Sequence, residues 1–197
     1  MSTRSEAAAV LTFDDGSLSV WRNALGSLAD CGFKAINYLV SDRIGGINDW
    51  DTAKGEIPDA LMDDAHVREW MAAGHEIGAH TRTHPRLSRI PLKQAREEIF
   101  GSKKSLEDRF GVPIRHFCYP YGDCSPGVRD LVQEAGYATA VTLVPGVCRA
   151  GADPLLLPRL GARAHSLNFR NLFTRLLGRP LVDVSSLLEW PCSPRIA

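Results

Sequence analysis

Short apolar segments alternate with segments of helical spacing along most of the chain, and no other feature restricts the possible folds as strongly. The predicted strands are residues 7–13, 34–40, 75–79, 116–119 and 139–144. The predicted helices are residues 18–31, 63–73, 91–110, 125–135 and 170–177. A helix between two strands of one sheet returns the chain to the same end of the sheet, so the strands run parallel. The alternation therefore predicts an α/β fold with a mostly parallel sheet, either open or closed into a barrel.

Length and composition predict one domain that spans residues 1–197. The chain carries 23 Lys and Arg against 23 Asp and Glu, and this net charge of zero argues against a nucleic-acid-binding protein. No apolar run reaches the about 18–20 residues of a membrane-spanning helix, and the first residues do not resemble a secretory signal. The five cysteines contain no CxxC pair, which is typical of a reducing compartment. We therefore expect no nucleic-acid partner, no membrane insertion, by default a cytoplasmic protein, and mostly buried free cysteines.

Two adjacent acids, Asp14 and Asp15, directly follow the first predicted strand, and Gly16 allows a sharp turn after them. In parallel α/β folds the chemistry is concentrated at the carboxyl ends of the strands, so catalytic residues are expected at this position. Neighbouring side chains point in different directions. One carboxylate can therefore hold a metal ion while the other reaches a water molecule. The alternative is an ordinary solvated Asp-Asp-Gly turn.

Three of the six histidines, His75, His80 and His84, lie within ten residues at the third predicted strand. In a helical turn, a spacing of four places His80 and His84 on one face, where they can share a cation. Two histidines with one carboxylate form a facial ligand set for a divalent metal. The alternative is two unrelated histidines. His75 starts the strand and is expected to be buried and structural.

A loop of aromatic residues, proline and glycine follows the fourth predicted strand. Such a loop can form a stiff wall for sugar stacking and can present a backbone N–H to a developing oxyanion. We expect Tyr119, Pro120 and Tyr121 to contact a substrate. Trp50, in the irregular segment 41–58, is a further candidate for stacking on a sugar. A common turn without function is the alternative.

One predicted helix carries a strongly charged stretch. Residues 91–110 contain Glu97, Glu98, Lys103 and Lys104. Opposite charges at this spacing are typical of a solvated helix face. We therefore expect these four side chains to be exposed.

The three motifs together resemble the polysaccharide deacetylases of the NodB-homology type, carbohydrate esterase family 4. The motifs are TFDDG at 12–16, GHEIGAHTRTH at 74–84 and FCYPYG at 117–122. The resemblance extends over about residues 8–165, and the last motif is similar to the F-x-Y-P-Y-G subgroup. It implies a distorted, incomplete (β/α) barrel. It also implies metal-dependent hydrolysis of an acetamide on an N-acetylated glycan, which releases acetate and leaves a free amine.

The resemblance also implies roles for individual residues. Asp15, His80 and His84 would hold the metal, Asp14 would be the general base, and the backbone N–H of Tyr121 would stabilise the oxyanion. An N,N,O ligand set favours Zn²⁺, and Co²⁺, Ni²⁺, Mn²⁺ or Fe²⁺ would also fit.

The chain departs from the commoner family pattern at two catalytic positions. Many members carry an arginine, thought to orient the catalytic aspartate, where this chain has Cys118. Here we expect Arg159, in a Leu-Pro-Arg segment, to pair with Asp14 instead. The family usually supplies a late histidine as the general acid. His165 is the candidate, because no other histidine follows His116.

Other functions stay open from the sequence. A non-glycan amide hydrolase acting on a cyclic or linear C–N bond can use the same scaffold and motifs. A non-catalytic carbohydrate-binding relative would keep the fold but has no need of a base such as Asp14. A docking role for the segment 170–177 is weaker, because amphipathic helices usually pack on a core. The sequence indicates neither the particular glycan nor the oligomeric state.

Overall fold

A computed structural model describes residues 9–50, 52, 55 and 57–161 of the chain. Six parallel strands form one sheet, and their order across the sheet is the same as their order in the chain. The strands are β1 Leu11–Phe13, β2 Ala35–Leu39, β3 Glu76–Ala79, β4 His116–Cys118, β5 Thr139–Pro145 and β6 Leu157–Arg159. This order places β1 and β6 at opposite edges. In the described residues the sheet is therefore a curled half-barrel whose two edge strands do not pair.

Helices connect the first five strands. They are α1 Leu18–Asp30, α2 Asp64–Ala72, α3 Leu92–Phe110 and α4 Pro126–Glu134. The side chains of Ser17, Asp63 and Ser125 accept hydrogen bonds from backbone N–H groups in the first turns of α1, α2 and α4. Helix α3 ends at Gly111, whose φ of 71° is the left-handed conformation that terminates many helices. Local capping signals therefore set the ends of the crossover helices.

The strands bury side chains on both faces of the sheet, since successive residues of a strand point to opposite faces. The larger apolar layer includes Leu39 and Phe117 of the sheet together with Trp70 of α2 and Leu106 of α3. A smaller cluster on the other face includes Tyr38 and Cys118. With both faces covered, the strands present their carboxyl ends, rather than a face, to substrates.

The fold prediction is confirmed: the sheet is parallel and has the form of an incomplete (β/α) barrel. The strands predicted from the sequence and the first four predicted helices are present, with ends shifted by a few residues. Strand β6 was not predicted, and it contains Pro158, which lacks a backbone N–H donor. An edge strand tolerates such a residue, and β6 is an edge strand. The predicted helix 170–177 lies outside the described residues.

The expectation of mostly buried cysteines is wrong for the described part of the chain. Cys118 is buried in the sheet, but Cys124 is half-buried, and Cys31 and Cys148 are exposed. Cys31 follows the end of α1, and Cys148 lies in the β5–β6 connection. Both positions lie at the surface, where no second layer of the fold covers them. Cys192 lies outside the described residues.

Within the described residues, no helix has both the length and the apolar character needed to span a bilayer.

Candidate metal centre and active site

The predicted site residues meet at the carboxyl ends of four strands. Asp14 and Asp15 follow β1, His80 follows β3, and Tyr121 lies in a short 3₁₀ turn after β4. Arg159 is the last residue of β6. The sequence therefore places these side chains at the end of the sheet where parallel α/β folds carry their chemistry.

The backbone of the site adopts a conformation that is rare for non-glycine residues. Among the described residues, the non-glycine positions with positive φ are Asp15 (72°), Thr81 (66°), His84 (66°) and Tyr121 (58°). A left-handed conformation is especially unfavourable for a β-branched residue such as threonine. Three of these four residues are predicted site residues, and the fourth lies between the two histidines. Backbone strain of this kind is typical of functional sites.

Asp15, His80 and His84 converge on one small volume. The Nε2 atoms of both histidines lie 3.4 Å from the same Oδ1 atom of Asp15. The histidine side chains are only 3% and 4% exposed, whereas that of Asp15 is 29% exposed. Ligands about 2.1 Å from a tetrahedral ion are separated by about 3.4 Å, so these separations match a shared cation. The triad fits a divalent metal with one side open to solvent.

The orientation of His80 also fits a metal ligand. Its Nδ1 atom lies 2.7 Å from the backbone oxygen of Cys118, which makes this nitrogen the donor and leaves the Nε2 lone pair toward Asp15. A hydrogen bond to the second ring nitrogen is the usual support of a metal-bound histidine.

The two histidines are brought together by an irregular loop, not by a helical turn, so the predicted helical spacing is wrong. Glu98 of α3 holds this loop: one carboxylate oxygen accepts hydrogen bonds from the backbone N–H groups of Arg82 and Thr83, at 2.8 and 2.9 Å. The other oxygen accepts from the hydroxyl of Thr83 at 2.7 Å. The expectation that Glu98 is exposed is therefore also wrong, because this carboxylate replaces water as the partner of the loop backbone.

Asp14 is held by Arg159, and the contact expected from the sequence is present. The guanidinium donates to both carboxylate oxygens, at 2.7 and 2.8 Å. Arg159 itself is fixed by donation to the backbone oxygen of Thr142 at 2.9 Å and to the hydroxyl of Thr12 at 3.1 Å. A bidentate pair of this kind sets the orientation of the carboxylate as well as its charge.

The charge of Asp14 is stabilised by its surroundings. Burial acts to raise the pKa of this carboxyl, whereas the hydrogen bond and the positive charge of Arg159 lower it. The pKa of Asp14 is therefore below its ordinary value of 3.8. Asp14 is ionised at neutral pH and is able to accept a proton.

A second set of potential metal ligands, Asp14, His80 and Cys118, shares His80 with the first. Burial raises the pKa of the Cys118 thiol, so the thiol keeps its proton. The Asp14 carboxylate is already bound by Arg159. The Asp15 triad is therefore the better cation site.

Aromatic side chains flank His84. Trp50 stacks on its ring with a centroid distance of 4.4 Å and an angle of 26°. The ring of Tyr121 meets it nearly edge-on at 4.6 Å. The guanidinium carbon of Arg86 lies 3.9 Å from the centroid of the Tyr121 ring. Trp50 and Tyr121, both expected to contact a sugar, therefore lie beside the proposed metal ligands.

The other two aromatic-loop predictions need correction. Tyr119 is fully buried, and its hydroxyl donates to the backbone oxygen of Leu155 at 3.0 Å. Pro120 is also buried. Tyr119 belongs to the main apolar core and Pro120 is buried at the start of the turn after β4, so neither contributes an exposed wall for sugar stacking.

Two further histidine predictions differ in outcome. His75 is buried, as expected, and packs on Trp70 with a centroid distance of 4.3 Å. Its pKa is lowered by burial and by the positive charge of Lys34. His165, the candidate general acid, lies outside the described residues.

Sequence reasoning missed two acids that support the site. Glu98 is one, and its signal is its place beside Ala95 and Ser102 on the buried face of α3. Asp123 is the other. Its carboxylate accepts from the backbone N–H of Ser88 at 2.8 Å and from its hydroxyl at 2.7 Å, which ties the Tyr121 turn to the segment after His84. No local pattern marks Asp123, since its partner is 35 residues away.

Known proteins resemble this chain in sequence. The sequence profile described as polysaccharide deacetylase matches residues 2–140. A chitooligosaccharide deacetylase of a Bradyrhizobium species is 31% identical over 104 residues, which are 49% of this chain and 48% of that protein. Chitin deacetylase 1 of Cryptococcus neoformans is 32% identical over 131 residues, which are 66% of this chain and 24% of that protein. The chain thus spans about half the length of the first relative and less of the second.

Solved structures resemble it in fold. The Streptococcus pyogenes deacetylase PplD, solved in complex with acetate, superimposes with a TM-score of 0.68 at 22% identity, covering 81% of this chain and 66% of that chain. At this identity the likeness supports the fold alone. The sequence profile matches well over half of the chain, and the matched region includes the two aspartates, the two histidines and the aromatic loop. The chain therefore belongs to the polysaccharide deacetylase family.

Proposed function

We propose that this chain is a metal-dependent deacetylase that hydrolyses an acetamide on an N-acetylated glycan. The observation that carries the proposal is the juxtaposition of the Asp15–His80–His84 triad with an Asp14 carboxylate held by Arg159. One carboxylate is free to share a cation with the histidines, while its neighbour is oriented and ionised. A metal-dependent hydrolytic site needs both a group that binds the metal and a group that accepts a proton from water.

Asp15, His80 and His84 would hold the metal. Their N,N,O donor set suits Zn²⁺, and Co²⁺, Ni²⁺, Mn²⁺ or Fe²⁺ are compatible with it. When bound, such an ion supplies Lewis acidity, which acidifies a water molecule and polarises a carbonyl oxygen.

Asp14 would act as the general base. Its lowered pKa keeps it deprotonated at neutral pH, so it accepts a proton from the attacking water. Arg159 keeps the carboxylate in one orientation through two hydrogen bonds. The water oxygen forms a bond to the carbonyl carbon, and the electrons of the C=O double bond move to the oxygen.

The backbone N–H of Tyr121 would donate to that negatively charged oxygen. Its turn is fixed by a φ of 58° and by the contact between Asp123 and Ser88. A donor held in place before the reaction stabilises developing charge without reorganisation. The C–N bond then breaks, a proton reaches the leaving nitrogen, and acetate and a free amine are released. His165 is the proposed donor of that proton, and its replacement by alanine should slow turnover.

We expect the side chains around His84 to contact the substrate. Trp50 and Tyr121 present aromatic surface beside the triad, and aromatic rings are suited to the apolar faces of sugars. These two residues support a glycan substrate over a small linear amide.

The proposal is tested by acetate release from a panel of N-acetylated oligosaccharides and from non-glycan amides, with and without a chelator. We expect release from a glycan, loss of activity with chelator and recovery on addition of Zn²⁺. Asp14→Asn should lower kcat by about 10²–10⁴-fold, the usual contribution of a general base. Asp30→Asn, at the exposed end of α1, is the matched control and should keep full activity.

Three results would contradict parts of the proposal. Activity that resists the chelator would exclude the metal. Hydrolysis restricted to non-glycan amides would exclude a glycan substrate. Stoichiometric metal binding without any hydrolysis would indicate a carbohydrate-binding relative.

A further inference from the structure

We propose that Arg86 binds an anionic group of the substrate next to the reacting acetamide, so that the preferred glycan is acidic. This inference rests on the proposed deacetylase function and adds a substrate class to it. The anionic group is a carboxylate or a phosphate carried by the sugar that enters the site.

Arg86 lies at the rim of the candidate metal centre. It follows His84 by two residues, and its guanidinium carbon is 3.9 Å from the centroid of the Tyr121 ring. That ring in turn is 4.6 Å from the ring of His84. Arg86 is half-buried, and the contact with Tyr121 holds its side chain beside the site.

Arg86 differs from several neighbouring arginines in its lack of an acidic partner within the described residues. Three other arginines at this end of the sheet or in the adjoining loops form an ion pair with an aspartate. These pairs are Arg159 with Asp14, Arg43 with Asp49 and Arg82 with Asp42. In the part of the chain that the structure describes, no carboxylate lies within 4.0 Å of a guanidinium nitrogen of Arg86. Asp123, the acid beside the Tyr121 turn, is engaged with Ser88 instead.

The contact with Tyr121 prepares the guanidinium for an anion. A guanidinium above an aromatic ring uses its face for the cation–π contact and keeps the N–H groups at its edge as donors. Those donors match the two oxygens of a carboxylate or phosphate, and less side-chain entropy is lost when the group is already positioned. A half-buried positive charge beside a catalytic centre, without an acid of its own, favours substrates that bring one.

The experiment compares matched substrates that differ in one charge. For the carboxylate, kcat/KM is measured with the disaccharide of N-acetylglucosamine and N-acetylmuramic acid and with its uncharged methylamide. For the phosphate, N-acetylglucosamine 6-phosphate is compared with N-acetylglucosamine. We expect the charged member of at least one pair to be preferred about tenfold, and the preference to shrink as salt is raised. The pair that shows the preference identifies the anionic group.

Variants assign the preference to the residue. Arg86→Gln should reduce the charged-to-neutral ratio to about one, and Arg86→Lys should retain part of it because it keeps the charge but loses the planar donors. Arg89→Gln changes an exposed arginine of the same segment and should keep the ratio. The ratio is informative because a purely structural role of Arg86 would lower activity on both members of a pair equally.

Binding measurements separate this inference from the function on which it rests. Calorimetric titration of the same sugars in the presence of a chelator reports the charge preference without turnover. A preference that is lost in Arg86→Gln supports the inference even if no acetate is released, whereas the missing acetate counts against the deacetylase function. Equal affinity for charged and neutral sugars, or a preference unchanged in Arg86→Gln, overturns the inference.

Discussion

At the scale of single residues, the site depends on backbone conformations that few residue types accept. Asp15, Thr81, His84 and Tyr121 all have positive φ, and none is glycine. Their strain is offset by contacts: the Thr81 hydroxyl accepts from the backbone N–H of His84 at 3.0 Å. Each of these conformations costs about 1–3 kcal/mol, and they persist because the surrounding structure holds the backbone in place.

Replacement of Gly78 tests how tightly side chains and backbone are packed around β3. A Cβ at this position would lie 2.5 Å from the ring of Tyr38 and 2.9 Å from the backbone oxygen of His116. Gly78→Ala should therefore destabilise the protein by about 1–3 kcal/mol or more, because the backbone of a neighbouring strand must move. The free energy of unfolding in urea measures this.

Gly26 is the matched control for Gly78. It lies in α1, and a Cβ there would meet nothing within 4 Å. Gly26→Ala should stabilise the protein by about 0.5–1 kcal/mol, since alanine has the higher helix propensity. Equal effects of the two substitutions would contradict the packing described for β3.

At the scale of elements, α3 positions the metal ligands although it contributes none of them. Glu98 is buried, and its carboxylate accepts all three hydrogen bonds that connect it to the His80–His84 loop. Glu98→Gln removes the negative charge and one pair of acceptor sites while keeping the size of the side chain. We expect Zn²⁺ affinity, measured by calorimetry, to fall about tenfold, the lower range for loss of a supporting contact.

The same helix offers a control. Glu97 is the exposed neighbour of Glu98, and Glu97→Gln removes an equal charge. We expect it to leave Zn²⁺ affinity unchanged. If both variants weaken binding equally, the effect comes from net charge and not from the support of the loop.

Sequence reasoning succeeded for elements whose signal is local. The first four predicted helices and the first five strands follow from the spacing of apolar residues and from glycine stops, such as Gly32 after α1 and Gly74 after α2. It failed where the deciding partner is distant. Strand β6 exists because β5 pairs with it, and the histidine loop has its shape because Glu98 binds it. The motif residues Asp14, Asp15, His80 and His84 were identified from their order, but only the folded chain shows why Asp15 and not Asp14 faces the histidines.

At the scale of the whole molecule, stability should depend on the protonation of buried His75. Its pKa is lowered below the ordinary 6.5 by burial and by Lys34, so the folded protein favours the neutral ring. Between the lowered pKa and 6.5 the unfolded chain binds more protons, and stability therefore falls as pH falls below about 6.5. The contribution of His75 is complete above that pH and changes by at most about 1.4 kcal/mol per pH unit below it.

The variant His75→Phe, which lacks the imidazole ring, isolates the contribution of His75 to the pH dependence of stability. Unfolding in urea between pH 5 and 8, with chelator present, should show a shallower acid loss for His75→Phe than for the natural chain. All other histidines are common to both proteins, so their contributions cancel in the difference. Identical pH dependence in the two proteins would show that folding does not lower the pKa of His75.

The ion pair between Arg159 and Asp14 connects the two ends of the open sheet. Arg159 ends β6 and Asp14 follows β1, and the two residues are 145 positions apart in the chain. The pair therefore orients the catalytic base and also connects the two edge strands of the half-barrel. Arg159→Lys keeps the charge but not the two parallel hydrogen bonds, and we expect kcat to fall about 10–100-fold, since the base loses its fixed orientation.

Arg159→Ala should in addition lower the free energy of unfolding by about 1–3 kcal/mol, because Asp14 is left as a partly buried charge without a partner. The double variant Asp14→Ala with Arg159→Ala should be less destabilised than the sum of the single variants, which a double-mutant cycle in urea measures. Arg149→Ala, in the exposed β5–β6 connection, is the control and should change neither quantity. Strictly additive effects would mean that the two edge strands are held together without this pair. A loss of kcat with no loss of stability would confine Arg159 to the chemistry.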